Sequence, residues 1–329
     1  MANQSGGTEP RKHHYVPQFY LRNFVDAKGM LLVADRGKKK VFRSKPPGVA
    51  NERDFNRIEA DGLDANAVEK LLSEFEGEIA PHLKNVIATK SLADEKDRAA
   101  MVNLMAALSL RNPKRRAELS RAMENGARRL LGSRDRYEQY VANMKKAGKW
   151  NGDAAFTLGE LEVALAETNL KPAHEALVAA EIDHHDHVAD QLWQRKWVVV
   201  EAAPDSSGFI TTDDPVAICW TDAGQHAGDR PGMTEADSEI IFPLSPRLAL
   251  RGRFDFEADT FEKAGPETVG AMNTHMINHA DKQVYSDTHA FKYAVVEGNA
   301  LKSGAVLVQD EQFLRKRGGG DKIVALKVK

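Results

Sequence analysis

The helical periodicity that fills residues 63–193 and stops at Trp197 constrains the fold more than any other feature of the chain. Val68, Leu71, Leu72, Phe75, Ile79, Leu83 and Ile87 recur three and four residues apart, the spacing that lays an apolar stripe along one side of an α-helix. Asp64 suits its N-cap. A second helix is expected from Asp94 to Arg111, with Met101, Leu104, Met105 and Leu108 on one face, ended by Pro113. Further helices are expected over 114–131, 134–146, 158–168 and 172–193. From Trp197 the texture changes to short β-branched or apolar runs punctuated by Gly, Pro and Asp: Val198–Val200, Gly208–Thr211, Val216–Trp220, Glu239–Phe242 and Leu248–Arg251. Helices followed by strands, instead of the two alternating, predict an α+β fold, a helical middle section packed on a C-terminal, mostly antiparallel sheet.

One continuous domain over 12–310 is expected, helical over about 63–193 and sheet-forming over about 195–300. It is flanked by a polar, disordered tail at 1–11 and a basic tail at 311–329 that contains Gly318-Gly-Gly320. Before the long helices, Met30–Asp35 and Val41–Arg43 read as a hairpin with a basic turn, and 55–59 as a short strand. Thr221–Asp237 reads as a mobile polar loop. After the sheet, 266–280 and 288–297 read as helices.

The densest stretch is His13-His14-Tyr15-Val16-Pro17-Gln18-Phe19-Tyr20-Leu21-Arg22-Asn23-Phe24. Pro17 suits the first turn of a helix, because its ring fixes φ and its missing N–H would have no intrahelical partner there. His13 and His14 then stand just before a helix N-terminus, whose partial positive charge disfavours an imidazolium. A neutral imidazole takes a proton or binds a metal, which makes His14 a candidate base, although a capping histidine accounts for it equally well. The segment from His14 to Phe24 resembles the opening motif of the bacterial domain of unknown function 4238 family. Two further segments carry the same resemblance: Phe209-Ile-Thr-Thr-Asp-Asp-Pro215, similar to a Thr-Ser-Asp-Asn-Pro strand end, and Phe242-Pro-Leu-Ser-Pro246. The resemblance runs from Arg11 to Ser286 and carries no activity with it. It implies that Arg111, in an Arg-Thr-Pro motif where this chain has Asn112, Asp213 and Asn273 are family positions, while Asp214 stands where the family more often has Asn.

Physical reasons stand beside three of these positions. A helix-end Arg keeps its charge and offers a planar fork of donors, so Arg111 suits a phosphate or carboxylate, or a surface ion pair. Asp214 precedes Pro215 and is pushed to an extended conformation, so Asp213 and Asp214 face opposite ways and do not share a pocket. Asp213 is the candidate, with an Asp turn as the structural alternative. Two clusters have metal-ligand composition. Asp183, His187 and Asp190 would share a helix face, although a surface placement suits them better. His275 and His279 have the i, i+4 spacing of zinc-binding helices, but Met276 occupies the position of a metalloprotease glutamate.

No stretch approaches the ~18 apolar residues of a membrane span, and no apolar leader follows the N-terminus, so a cytoplasmic protein is expected. Cys219 is the only cysteine, which excludes an internal disulfide and a cysteine-based zinc site, and Ile218 and Trp220 mark it as a buried strand residue. Walker and dinucleotide glycine motifs and a Gly-x-Ser-x-Gly elbow are missing from the sequence. Net charge is only −2, yet Arg36–Lys45 holds six basic residues and no acidic ones, and Arg111–Lys149 twelve against four. Such segregation builds local positive fields that suit nucleic acid, although a solvated helix face with its charges turned to water accounts for it slightly better. The sequence therefore points to a nucleic-acid phosphodiester hydrolase using His14, Arg111, Asp213 and Asn273, with a divalent metal ion compatible. The alternative is a non-catalytic module that binds a nucleotide or a partner.

Overall fold

A computed structural model of the chain describes residues 11–59, 62, 64–148, 171–221, 230–257, 259–294 and 300–314. The expected helix at 158–168, the Gly318–Gly320 tail and residues 222–229 of the expected 221–237 loop lie outside them. The chain divides into two compact units, Met1–Asn112 with Asp183–Lys329, and Pro113–Ile182. Sequence reading drew no boundary at these points.

The first unit has an α+β fold. It begins with β1 (Lys12–His14), α1 (Gln18–Leu21) and a 3-10 turn at Arg22–Phe24. The expected hairpin follows as β2 (Leu31–Asp35) and β3 (Lys40–Ser44), then β4 (Asn51–Arg53). The strand expected at 55–59 is instead β4. Asp54 turns the chain at φ 58°, and β4 pairs antiparallel with β1, placing His13 opposite Glu52 and His14 opposite Asn51.

Two long helices come next, α2 (Ala67–Thr89) and α3 (Glu95–Leu110). Asp64 lies just outside α2, where its carboxylate accepts the Asn66 N–H at 2.9 Å. Asp94 caps α3 by accepting from Lys96 and Asp97. Leu71, assigned by spacing to the apolar stripe, is 55% exposed.

The central sheet has the order β10-β5-β9-β8-β7, built from β5 (Lys196–Ala202), β7 (Ala217–Trp220), β8 (Ser238–Ser245), β9 (Leu248–Arg253) and β10 (Thr260–Ala264). It is antiparallel except that β10 runs parallel to β5. Side chains alternate across it. Trp197, Val199, Ile240, Phe242 and Leu250 pack with Leu83, Val86, Met101 and Leu104 of α2 and α3 on one face. Val198, Val200, Ile241 and Ala249 pack on the other with Val269, Met272 and Met276 of a helix at Pro266–His279. Cys219 is buried on β7. Burial of both faces explains why strands such as Val198–Val200 read as continuous apolar runs.

A second sheet has the order β3-β2-β11-β6, with β6 (Thr211–Thr212) and β11 (Gln283–Ser286). The helix expected at 288–297 is absent over its described residues: Lys292–Ala294 is β12, paired with β13 (Leu301–Ser303). The preceding helix supplies the reason. Its Asn273 side chain donates to the Lys292 carbonyl, and its Thr274 hydroxyl donates to the Ala294 carbonyl and accepts the Ala294 N–H. Backbone groups satisfied in this way need no helix of their own.

The second unit contains α4 (Pro113–Leu131), α5 (Arg134–Lys146) and the first turns of α6 (His174–Trp193). Arg116 and Glu181, both buried, form a two-pronged ion pair at 2.6 and 2.5 Å that ties α4 to α6. Pro113 begins α4, where its missing N–H costs nothing. The Pro266–His279 helix is α7, and a short α8 follows at Glu311–Leu314. Among the described residues, no helix is long and apolar enough to cross a membrane.

Candidate functional site

Three segments distant in sequence meet at one hydroxyl. Tyr20 is fully buried, donates to the Pro243 carbonyl at 2.7 Å and lies 2.7 Å from the Thr211 hydroxyl, while its ring stacks on Phe242 at 5.3 Å. Because the Tyr20 proton goes to Pro243, Thr211 donates to Tyr20. The opening motif, the 209–215 strand end and the 242–246 segment are therefore parts of one junction.

At that junction, β1 splits the two histidines, as an extended strand must. His13 is fully buried, and its Nδ1 accepts the Asn56 N–H at 2.9 Å, which leaves its proton on Nε2. His14 is half-buried. Its Nδ1 faces the Gln18 amide nitrogen at 3.4 Å, and burial holds the imidazole below its ordinary value against the opposing pull of the Pro47 carbonyl. The expectation of a neutral His14 is met by desolvation, since α1 has only four residues and little dipole to contribute.

Arg111, at the C-terminal end of α3, donates from Nη2 to the His14 carbonyl at 2.9 Å, and its Nη1 lies 3.9 Å from Glu76 on α2. Burial pushes Glu76 up to about 7, opposed by Arg111 and reinforced by Glu69. Glu69 in turn accepts the Asn56 amide at 2.8 Å, and its Oε2 lies 3.9 Å from His13 Nδ1. The result is a histidine whose burial favours its neutral form and a carboxyl about half protonated near pH 7, with one guanidinium between the His14 backbone carbonyl and that carboxyl. Glu69 and Glu76 were missed in the sequence. The signal was their position on the stripe Glu69, Leu72, Glu76, Ile79, Leu83 and Val86, where carboxylates interrupt the buried face of α2.

The other two candidates sit differently. Asp213 is buried, and its carboxylate accepts three backbone N–H groups: Asp281 at 2.9 Å, Lys282 at 2.7 Å and Gln283 at 2.9 Å. Burial pushes it up to about 7 while the Lys282 and Gln283 donors pull it down. Its carbonyl accepts the Asn112 amide at 2.7 Å, so the residue that departs from the family's Arg-Thr-Pro pattern links α3 to the Asp213 loop. Asn273 is fully buried and bound on both sides. Its Oδ1 accepts the Ile210 N–H at 3.1 Å, and its Nδ2 donates to the Gly208 and Lys292 carbonyls at 3.0 and 2.8 Å. Arg111 and its neighbour thus connect to His14 and Asp213, whereas Asn273 joins a separate set of backbone groups.

Asp214 points away from Asp213 to lie 3.2 Å from His279 Nε2, both buried. Asp183, His187 and Asp190 are on exposed positions of α6. Among the described residues, no group of three or more His, Cys, Asp or Glu could hold a metal ion.

The family described as "Protein of unknown function (DUF4238)" matches residues 12–290, and the chain belongs to it. Neither the curated proteins nor the solved structures contain a match to the chain.

Proposed function

We propose that the protein is a cytoplasmic nucleic-acid phosphodiester hydrolase whose acid–base pair is His14 and Glu76. The observation that carries this reading is the Arg111 guanidinium, which reaches both the His14 carbonyl and the Glu76 carboxyl. In this reading His14 takes the proton of the attacking oxygen, Glu76 gives one to the leaving oxygen, and Arg111 positions both. The basic stretches 36–45 and 111–149 would hold the phosphate backbone. Asp213 and Asn273 serve as braces. That commitment of two polar side chains to backbone groups also favours the competing reading, a non-catalytic nucleotide- or partner-binding module.

The test is cleavage of single- and double-stranded DNA and RNA by the parent protein, His14→Ala and Glu76→Gln, each with and without Mg²⁺, Mn²⁺ and Zn²⁺. Loss of about 10²-fold or more in each variant is expected, the usual size of an acid or base contribution. The parent's rate should fall above about pH 7 as Glu76 loses its proton. A parent protein inert under every condition would remove the hydrolase and leave the binding module.

A further inference from the structure

The helical pair α4 and α5, joined through Gly132 and Ser133, carries more cations than its own carboxylates answer. Arg115 pairs with Glu118 at 3.1 Å, Arg116 with Glu181, and Arg128 with Glu124 at 3.0 Å. Arg121, Arg129, Arg136, Lys145 and Lys146 are exposed, and among the described residues none of the five meets a carboxylate. Lys114, Arg121 and Arg128 recur every seven residues, which lines them along one side of α4 over about 21 Å. On α5, Arg136 stands one turn before Tyr140, a residue 40% exposed.

We infer that this hairpin is a platform for single-stranded nucleic acid, with Arg121, Arg129 and Arg136 contacting phosphates and Tyr140 stacking against one base. Exposed arginines and an exposed aromatic ring, here Arg136 one turn from Tyr140 with Arg121 and Arg129 exposed on the adjoining helix, are the two elements that sequence-tolerant binding of an unpaired strand requires. A duplex keeps its bases stacked on one another and offers that ring no face, so the tyrosine favours the single strand. A membrane surface is less suited, because Met123 and Tyr140 are the only exposed large apolar residues described on the two helices, too few for an apolar face. The inference deepens the hydrolase reading by naming an unpaired strand as the substrate. It rests on that reading only for the strand being cut, since binding stands by itself.

The experiment uses the full chain carrying His14→Ala, so that a bound strand is not consumed, and a fluorescent 20-nucleotide oligothymidylate or its 20-base-pair duplex. Tighter binding of the single strand is expected. Tyr140→Ala should weaken it about 5- to 100-fold, with Tyr140→Phe near the parent, from the usual strength of base stacking. Each of Arg121→Ala, Arg129→Ala and Arg136→Ala should shrink the slope of log affinity against log salt by about 0.7. Circular dichroism confirms that the variants keep their helices. Equal or tighter binding of duplex, no effect of Tyr140→Ala, or binding only to phosphatidylglycerol vesicles would overturn the inference. Single-strand binding by a parent protein that cleaves nothing would uphold the platform and sink the hydrolase.

Discussion

The polar groups around Asp213 and those around His14 are equally rich in hydrogen-bonding chemistry, but they spend it differently. Asp213 and Asn273 are buried, and every hydrogen bond recorded for their side chains goes to a backbone group. They hold the start of β11, the approach to β6 and the start of β12 against one another. At His14, the contacts are longer, the side chain is half-exposed, and the neighbouring carboxyl is displaced toward neutrality. The contrast is between saturated braces and polar groups that keep unused hydrogen-bonding capacity. A brace saturates its partners at short distance, whereas the His14 Nε2 is buried with no hydrogen-bond partner among the described residues.

Mutations can break this comparison. Asp213→Ala should have the largest effect, because it leaves three buried N–H groups without an acceptor. A loss of about 3–5 kcal/mol in denaturant unfolding is expected. A loss under 1 kcal/mol would show that water or a rearranged loop satisfies those groups. Asn273→Ala strands the Ile210 N–H and two carbonyls, so it should cost about 2–4 kcal/mol by the same measurement.

Glu76→Gln should act with the opposite sign. Its carboxyl is held up to about 7 against an ordinary 4.5, so between those values the folded chain keeps a proton that the unfolded chain has released. Stability then falls as pH rises through that window and stays lower above it. The Gln variant escapes this loss, and at pH 8 it should be about 1–3 kcal/mol more stable than the parent, with little difference at pH 4. Equal slopes of stability against pH for variant and parent would remove Glu76 from the perturbed pair.

His14→Ala should change least. A depressed imidazole costs stability only as pH falls below its ordinary 6.5, so at pH 7.5 a shift under about 1 kcal/mol is expected. A change as large as that of Asp213→Ala would make His14 a brace as well.

Parts of this organisation were legible before any coordinates. The α3 stripe, the hairpin with its basic turn, the runs that became β5, β7, β8 and β9, and the family motifs all depend on spacing between near neighbours, which a linear sequence displays. β10 escaped because Thr260–Ala264 alternates weakly and gains its place by pairing with β5, some sixty residues earlier in the chain. The 292–294 strand escaped because the side chains that fix it, Asn273 and Thr274, lie on α7. The two-unit division at Asn112 and Ile182 follows from the largely exposed surfaces of α4 and α5, and exposure is a property of packing.

The sequence by itself determined that the long periodic segments from 64 to 146 and from 174 to 193 are helical, which runs are apolar enough to be covered on both faces, and which segments carry the family motifs, because these follow from periods of 3.6 and 2 and from local turn chemistry. Only the tertiary structure decided what each polar residue does. Adjacent Asp213 and Asp214 turn to different partners, His13 and His14 to different environments, and Glu76 gains its raised proton affinity from burial, against the pull of Arg111 thirty-five residues away. Proton affinity and hydrogen-bond satisfaction depend on desolvation and on partners brought from distant chain segments, and neither exists until the chain has folded.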